Sequence, residues 1–342
     1  MTTMTAMIGA PAATGPSRFV KRVALVTVGI AALLALGFFG WGGIARYSLA
    51  NAHPPPGQLV DVGGYRLHID CVGQGTGPTV ILEAGNADFS VMWAKVQPEL
   101  AVSARVCAYD RAGLGWSERG KAPRTLDAMT DDLLHLLDAA GIEGKLLLVG
   151  HSFGGIVARR FAAAHSERVA GLVLVDPAHE RQLEMSATMR EAVEAGAAQF
   201  DGLVPLASWG LLAVLPGNIP DRGLSGAAHG DYAAILATTD YFAVAAEETR
   251  MLPANLEAMA ARPRNLGELP MTVLSRGRVD GPPNATPDDL AALERAWRAL
   301  QSDIATLSAD ARHIVADGAG HYIQLDRPEL VVRAIELMLS RA

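Results

Sequence analysis

KLLLVGHSFGGIVARRFAAAH, residues 145–165, is the stretch that decides the fold. Leu146 to Val149 form a short apolar run that reads as a buried strand, and the residues from Gly154 onward carry helical spacing. Gly150-His151-Ser152-Phe153-Gly154 lies between the two. A G-x-S-x-G in that position predicts a turn sharp enough to force the serine to positive φ, with no room for side chains two residues to either side. Such a turn lifts the Ser152 hydroxyl clear of the sheet and aims the free N–H groups of the following helix at negative charge developing beside it. The competing reading is an ordinary glycine-rich helix start in which Ser152 is only an N-cap.

Outward from this stretch, strand and helix patterns alternate. GQLVDVG, YRLHIDCV, TVILEAG and RVCAYD precede it, with the amphipathic TLDAMTDDLLHLLDAAG between the last of these and the elbow, and VAGLVLVD follows it. Short apolar runs bounded by Gly, Pro and Asp, with helices between, predict an α/β chain whose mostly parallel sheet is covered on both faces. The Gly63-Gly64 turn predicts an antiparallel start. Residues 178–268 lack a strand signal and carry helical apolar spacing, with breaks expected at Pro205, Pro216, Pro220 and Pro253, and so read as an inserted helical cap. The α/β pattern resumes with MTVLSRG, a long helix near 287–309, HIVADG and a closing helix. The body so defined is 58–342.

Charge divides the chain. Residues 1–53 hold Arg18, Lys21, Arg22 and Arg46 and no acidic residue, which leaves 25 basic against 36 acidic residues, a net of −11, in the remainder. That balance argues against nucleic acid as a partner. Residues 23–44 are uncharged, and 22 residues at 1.5 Å each reach about 33 Å, enough to cross a bilayer. Three cations before the run and one after it predict a cytoplasmic tail at 1–22, a transmembrane segment at 23–44, a Pro-rich linker at 45–57 and a catalytic body outside the cytoplasm. A cleaved signal peptide ending at Ala50-Asn51-Ala52, giving a secreted protein, and a plain buried helix are the other readings.

A serine hydroxyl needs a base to become a nucleophile, and His321 in Gly318-Ala319-Gly320-His321 stands where one is required, after a strand and before a helix. The base needs a carboxylate to hold its tautomer. Two qualify: Asp176, which ends GLVLVD, and Asp280, in the loop after MTVLSRG. Asp176 is preferred, because a strand end followed by Pro177 is the more rigid mount. For the oxyanion, the N–H of Phe153 and that of Asn86, in the loop Glu83-Ala84-Gly85-Asn86-Ala87-Asp88, are the expected donors. Glu83 and Asp88 read as polar rim residues or solvated loop charges, and Trp116 as a possible pocket residue.

GHSFGG, YDRAGLGWSE (109–118), VLVDPAH (173–179) and GAGHYIQLDRPE (318–329), in that order, resemble the α/β-hydrolase superfamily from about Gln58 to the C-terminus. The resemblance implies an eight-stranded sheet and, through Asp176, Gly85-Asn86 and Trp93, a likeness in acid placement to the haloalkane dehalogenase-like branch. Those enzymes carry an aspartate where Ser152 stands. A serine there implies an acyl-enzyme, hence a carboxylic ester hydrolase or related acyl chemistry; the alternatives are a non-hydrolytic acyltransferase, perhydrolase or lyase, and a membrane-anchored binding protein. Ala84-Gly85 replaces the family's usual His-Gly. Tyr109-Asp110-Arg111 matches a family turn, with an Asp–Arg pair expected to fix the loops beneath the site. Cys71 and Cys107 fall on neighbouring strands of the family's sheet, open to a disulfide or to two buried thiols. Apolar cap residues such as Trp209, Leu215, Tyr232, Tyr241 and Phe242 favour an apolar acyl substrate. No phosphate loop, HExxH or CxxC occurs in the sequence, so no cofactor and no metal is expected.

Overall fold

The computed structural model describes residues 17–121, 123–184, 187–278 and 286–341. Helix α1 (Arg18–Ala52) leads into strands β1 (Gln58–Asp61), β2 (Arg66–Val72) and β3 (Thr79–Glu83). Next come the short α2 (Gln97–Leu100), β4 (Val106–Tyr109), α3 (Leu126–Ala139), β5 (Leu146–His151), α4 (Phe153–Ala164) and β6 (Val169–Val175). Four helices, α5 (Ala187–Ser208), α6 (Leu211–Val214), α7 (Gly226–Leu236) and α8 (Tyr241–Ala260), then form the cap. β7 (Met271–Arg276), α9 (Pro287–Ala305), β8 (Ala311–Ala316), α10 (Ile323–Asp326) and α11 (Pro328–Leu339) complete the chain.

The eight strands run in the order β1-β2-β4-β3-β5-β6-β7-β8, antiparallel at β1-β2 and β2-β4 and parallel elsewhere. The buried apolar side chains explain the layers. Leu133, Leu136 and Leu137 of α3, Phe161 of α4 and Ile304 of α9 cover one face, while Leu100 of α2 and Val331, Ile335 and Met338 of α11 cover the other. β3, β5 and β6 are buried along almost their whole length, as the inner strands of a two-sided sheet must be.

Two expectations about helix ends are corrected. Pro205 and Pro253 lie inside α5 and α8 and do not break them. Each proline forfeits one i→i−4 bond, but α5 and α8 pack along one another, and that burial carries both helices past the defect. Pro216 does act as a stop, since α6 ends at Val214. The N-terminal helix continues beyond residue 44 to Ala52 and terminates at His53, just before Pro54. Among the described residues it is the one helix long and apolar enough to cross a membrane.

Cys71 and Cys107 face each other across the β2-β4 register and are joined as a disulfide. The bridge closes a sequence separation of 36 residues, for which loop-closure entropy gives ~3–4 kcal/mol. Cys71→Ser should therefore lower the urea midpoint by the corresponding amount, and reductant should lower the wild-type midpoint to match; an unchanged midpoint in both would show that the bridge contributes nothing.

Candidate active site

Ser152 stands at φ 53°, ψ −122°, between β5 and α4. A non-glycine residue holds that conformation only where its surroundings compel it, and here they do. Its N–H donates to Val175 O at 3.0 Å and its carbonyl accepts from Ala178 and Gly155, both at 2.9 Å. The glycines beside it are needed for space: a Cβ on Gly154 would fall 2.5 Å from Ala84 O, and one on Gly150 2.5 Å from Gly154 O. Gly85 is the third close approach, where a Cβ would lie 3.3 Å from that of Ser152. The loop after β3 thus lies directly against the serine, and Phe153 opens α4, so that its amide has no partner within the helix.

His321, in the loop after β8, bridges the other two residues. Its Nε2 is 3.0 Å from Ser152 Oγ and its Nδ1 is 2.6 Å from Asp176 Oδ2. An ionised carboxylate only accepts, so Nδ1 carries the proton and the Nε2 lone pair faces the serine. His151 supports this loop from below. It is fully buried, its Nε2–H donates to the carbonyl of His321 at 2.9 Å, and burial together with the neighbouring His321 pushes it down to about 3, so it stays neutral.

Asp176 is fully buried. Besides His321 it accepts from Trp297 Nε1 at 2.8 Å, from the amide of Arg276 at 3.0 Å and from Arg276 Nη1 at 3.2 Å. Burial pushes its carboxyl up, but the hydrogen bond and charge of His321 and those of Arg276 outweigh it and hold the group below the usual carboxylate range. The Arg276 guanidinium stacks over the Trp297 ring at 4.3 Å. Trp297 and Arg276, which come from α9 and β7, were not singled out from the sequence, where nothing marks them as neighbours of Asp176. Asp280, the other candidate acid, lies outside the described residues.

The loop 83–88 is corrected most. Glu83 is no solvated charge: it is buried, pairs with Arg111 at 2.5 Å and accepts from the Tyr109 hydroxyl. Arg111 does not pair with Asp110. It joins Glu83 to Glu248 of α8 (2.6 Å) and donates to the carbonyls of Ala84 and Gly85 at 2.7 and 2.5 Å. Asp110 instead accepts from the amides of Ser90 (2.7 Å) and Trp116 (3.0 Å) and lies 2.8 Å from His68 Nδ1. Glu248 also takes Arg124 at 2.5 Å and the amide of Ala87 at 2.8 Å, while the Asn86 side chain donates to Thr249 at 2.8 Å. One cap helix therefore grips the loop that lies against Ser152. Asp88 is buried near Tyr322 and Arg222; burial pushes its carboxyl up, and the Arg222 charge partly offsets this. Trp116 packs against His68 at 4.9 Å, donates to His53 O at 3.4 Å and lies against the apolar cluster of Phe89, Tyr232 and Leu325 under the cap. In the cap, Tyr232, Tyr241 and Phe242 are buried, whereas Trp209 and Leu215 are 46% and 50% exposed.

Residues 78–207 match the family model of the α/β hydrolase fold, a span that includes Ser152 and Asp176. The chain is 26% identical over 77% of its length to an AB hydrolase superfamily protein of Gibberella zeae, covering 86% of that protein. It is 37% identical to lipase LipV of Mycobacterium tuberculosis over 41% of its own length and 51% of the lipase. It spans 18 to 51% of the length of six curated relatives more than 30% identical to it. A solved thermophilic esterase from Thermogutta terrifontis superposes with a TM-score of 0.55 at 24% identity, covering 83% of this chain and 98% of the esterase.

Proposed function

We propose that this chain, a member of the α/β-hydrolase superfamily, is a hydrolase that cleaves an ester or related acyl bond of an apolar small molecule through an acyl-enzyme on Ser152. The observation that carries this reading is the bridge of His321 between Ser152 Oγ at 3.0 Å and Asp176 Oδ2 at 2.6 Å. His321 Nε2 takes the hydroxyl proton as Oγ attacks the acyl carbon. Asp176 keeps the imidazole in the tautomer that can accept it and stabilises the imidazolium that forms. The amides of Phe153 and Asn86 receive the oxyanion, and the imidazolium returns the proton to the leaving alcohol or amine. Water, activated by the same nitrogen, then frees the acid and regenerates the serine.

The acyl group lies against the apolar cluster under the cap, where Phe89, Tyr232 and Leu325 meet the partly buried Tyr322 beside His321. Helix α1 serves as the membrane anchor, with the body on the extracytoplasmic side; the basic residues that precede the apolar run favour that orientation. Its last turns are part of the folded body, since Arg46 donates to Ala207 O at 2.9 Å and His53 lies 2.8 Å from Asp231. A fluorophosphonate probe tests the nucleophile. The wild-type protein becomes covalently labelled and Ser152→Ala does not; equal labelling of both would refute the assignment.

A further inference from the structure

The contacts between α1 and the cap fix the depth of the cap as well as its position. The apolar run of α1 ends at Ile44, and the cap touches the helix inside that run. The Phe39 ring lies 6.2 Å from that of Trp209, and a Cβ on Gly42 would fall 2.1 Å from Trp209 O, so that two glycines, Gly42 and Gly210, meet backbone to backbone. Phe39 is five residues short of Ile44, about 7.5 Å along the helix. If 23–44 lies in hydrocarbon, Trp209 lies at the depth of the last turns of the span.

The cap sequence fits that location. From Gly202 to Pro220 there is no Asp, Glu, Lys or Arg. Trp209 and Leu215 are among the few large apolar side chains outside α1 that are strongly exposed among the described residues. The one cation at this contact, Arg46, spends its guanidinium on the carbonyls of Ala207 and Ser208 that end α5, at 2.9 and 2.5 Å. An indole at the junction of apolar and wet surface is the side chain expected at a bilayer interface.

We propose that the cap corner Trp209–Leu215 is seated in the interfacial layer of the same bilayer that α1 spans, held there by the Gly42–Gly210 contact. Residues 202–220 contribute no charged side chain and Arg46 is spent on backbone carbonyls, so the partner is the zwitterionic lipid itself, with no need for anionic headgroups. Ala207 and Leu212, neighbours of this corner in the chain, pack in the apolar cap cluster that also holds Tyr232 and Tyr322, the latter next to His321, so the seated corner and the candidate site share one body of the cap. This rests on α1 being an anchor, and the test separates the two.

The full chain is reconstituted in phosphatidylcholine vesicles whose acyl chains carry bromine near the headgroup, and tryptophan emission is compared with that in unbrominated vesicles. Wild type, Trp41→Phe and Trp41→Phe/Trp209→Phe are measured, each with its circular dichroism as a check on folding. The expected result is quenching in wild type and in Trp41→Phe that disappears in the double variant. Quenching in wild type that vanishes already in Trp41→Phe would leave the anchor standing and overturn the seating of the cap. Absence of quenching in wild type would overturn the anchor, and the cap proposal with it.

Discussion

Asp176→Asn should lower kcat/KM on a p-nitrophenyl ester by about 10⁴-fold while leaving the fold intact. The carboxamide matches the carboxylate in size but presents either an NH₂ or a single acceptor to His321 Nδ1. In the first case the imidazole flips its tautomer, and Nε2 then offers Ser152 a proton where a lone pair is required. In either case the imidazolium of the transition state loses its counter-charge, in a site where Asp176 is fully buried and the charge is worth most. Asp280→Asn should leave turnover near that of the wild type, measured on the same substrate. The reverse pattern would reassign the acid to the loop after β7. Slow fluorophosphonate labelling of Asp176→Asn would separate this loss from misfolding, because the serine remains in place.

The second large effect concerns stability. Glu248 is fully buried and holds both Arg111 and Arg124, and Arg111 in turn holds Glu83 and two carbonyls of the loop 83–88. Glu248→Ala leaves the Arg124 guanidinium without its carboxylate and Arg111 with Glu83 alone, a loss of ~3–5 kcal/mol in the free energy of unfolding. The pH dependence has a definite sign. Burial pushes the Glu248 carboxyl up, but the charges and hydrogen bonds of Arg111 and Arg124 pull it down to about 2, from an ordinary 4.5. A carboxylate lowered on folding stabilises fully above its unfolded value and loses that stabilisation as pH falls toward the folded one. Wild-type stability should therefore fall between about pH 4.5 and 2, with a shallower slope in Glu248→Ala. Urea unfolding across that range decides it; a loss below about 1 kcal/mol at neutral pH would mean that the network relaxes around the deletion.

The parts of the site that were legible in the sequence are those whose demands are local. The elbow shows as Gly150 and Gly154 because a side chain at either would strike backbone, and the loop of His321 shows through its glycines and its place after a strand. The mostly parallel sheet and its antiparallel start at β1-β2 followed from alternation and turn chemistry in the same way. What stayed hidden is set by partners distant along the chain. Nothing near Asp176 announces Trp297 or Arg276, and the burial of Glu83 depends on Arg111 and Glu248, each from a different element. Pro205 and Pro253 were misread for a related reason, since a helix rule applied to one segment cannot see the second helix that supports it. The exposure of Trp209 was equally invisible, because apolar spacing does not distinguish a side chain facing the core from one facing out.

The sheet order also bears on how the chain folds. β6 and β7 pair in parallel, with Leu172 opposite Met271, yet the entire cap lies between them in the chain. Such a pairing must wait until the intervening helices have compacted enough to bring the strand ends together, since the entropy of closing a long loop is spent before the pairing returns anything. Asp176 directly follows β6, and Arg276, which holds its carboxylate, ends β7. The hydrogen-bonded set Asp176–His321–Ser152 is therefore among the last features to assemble, and a chain whose cap folds slowly is expected to pass through a state in which the turn at Ser152 is formed and the Asp176 carboxylate is not yet held.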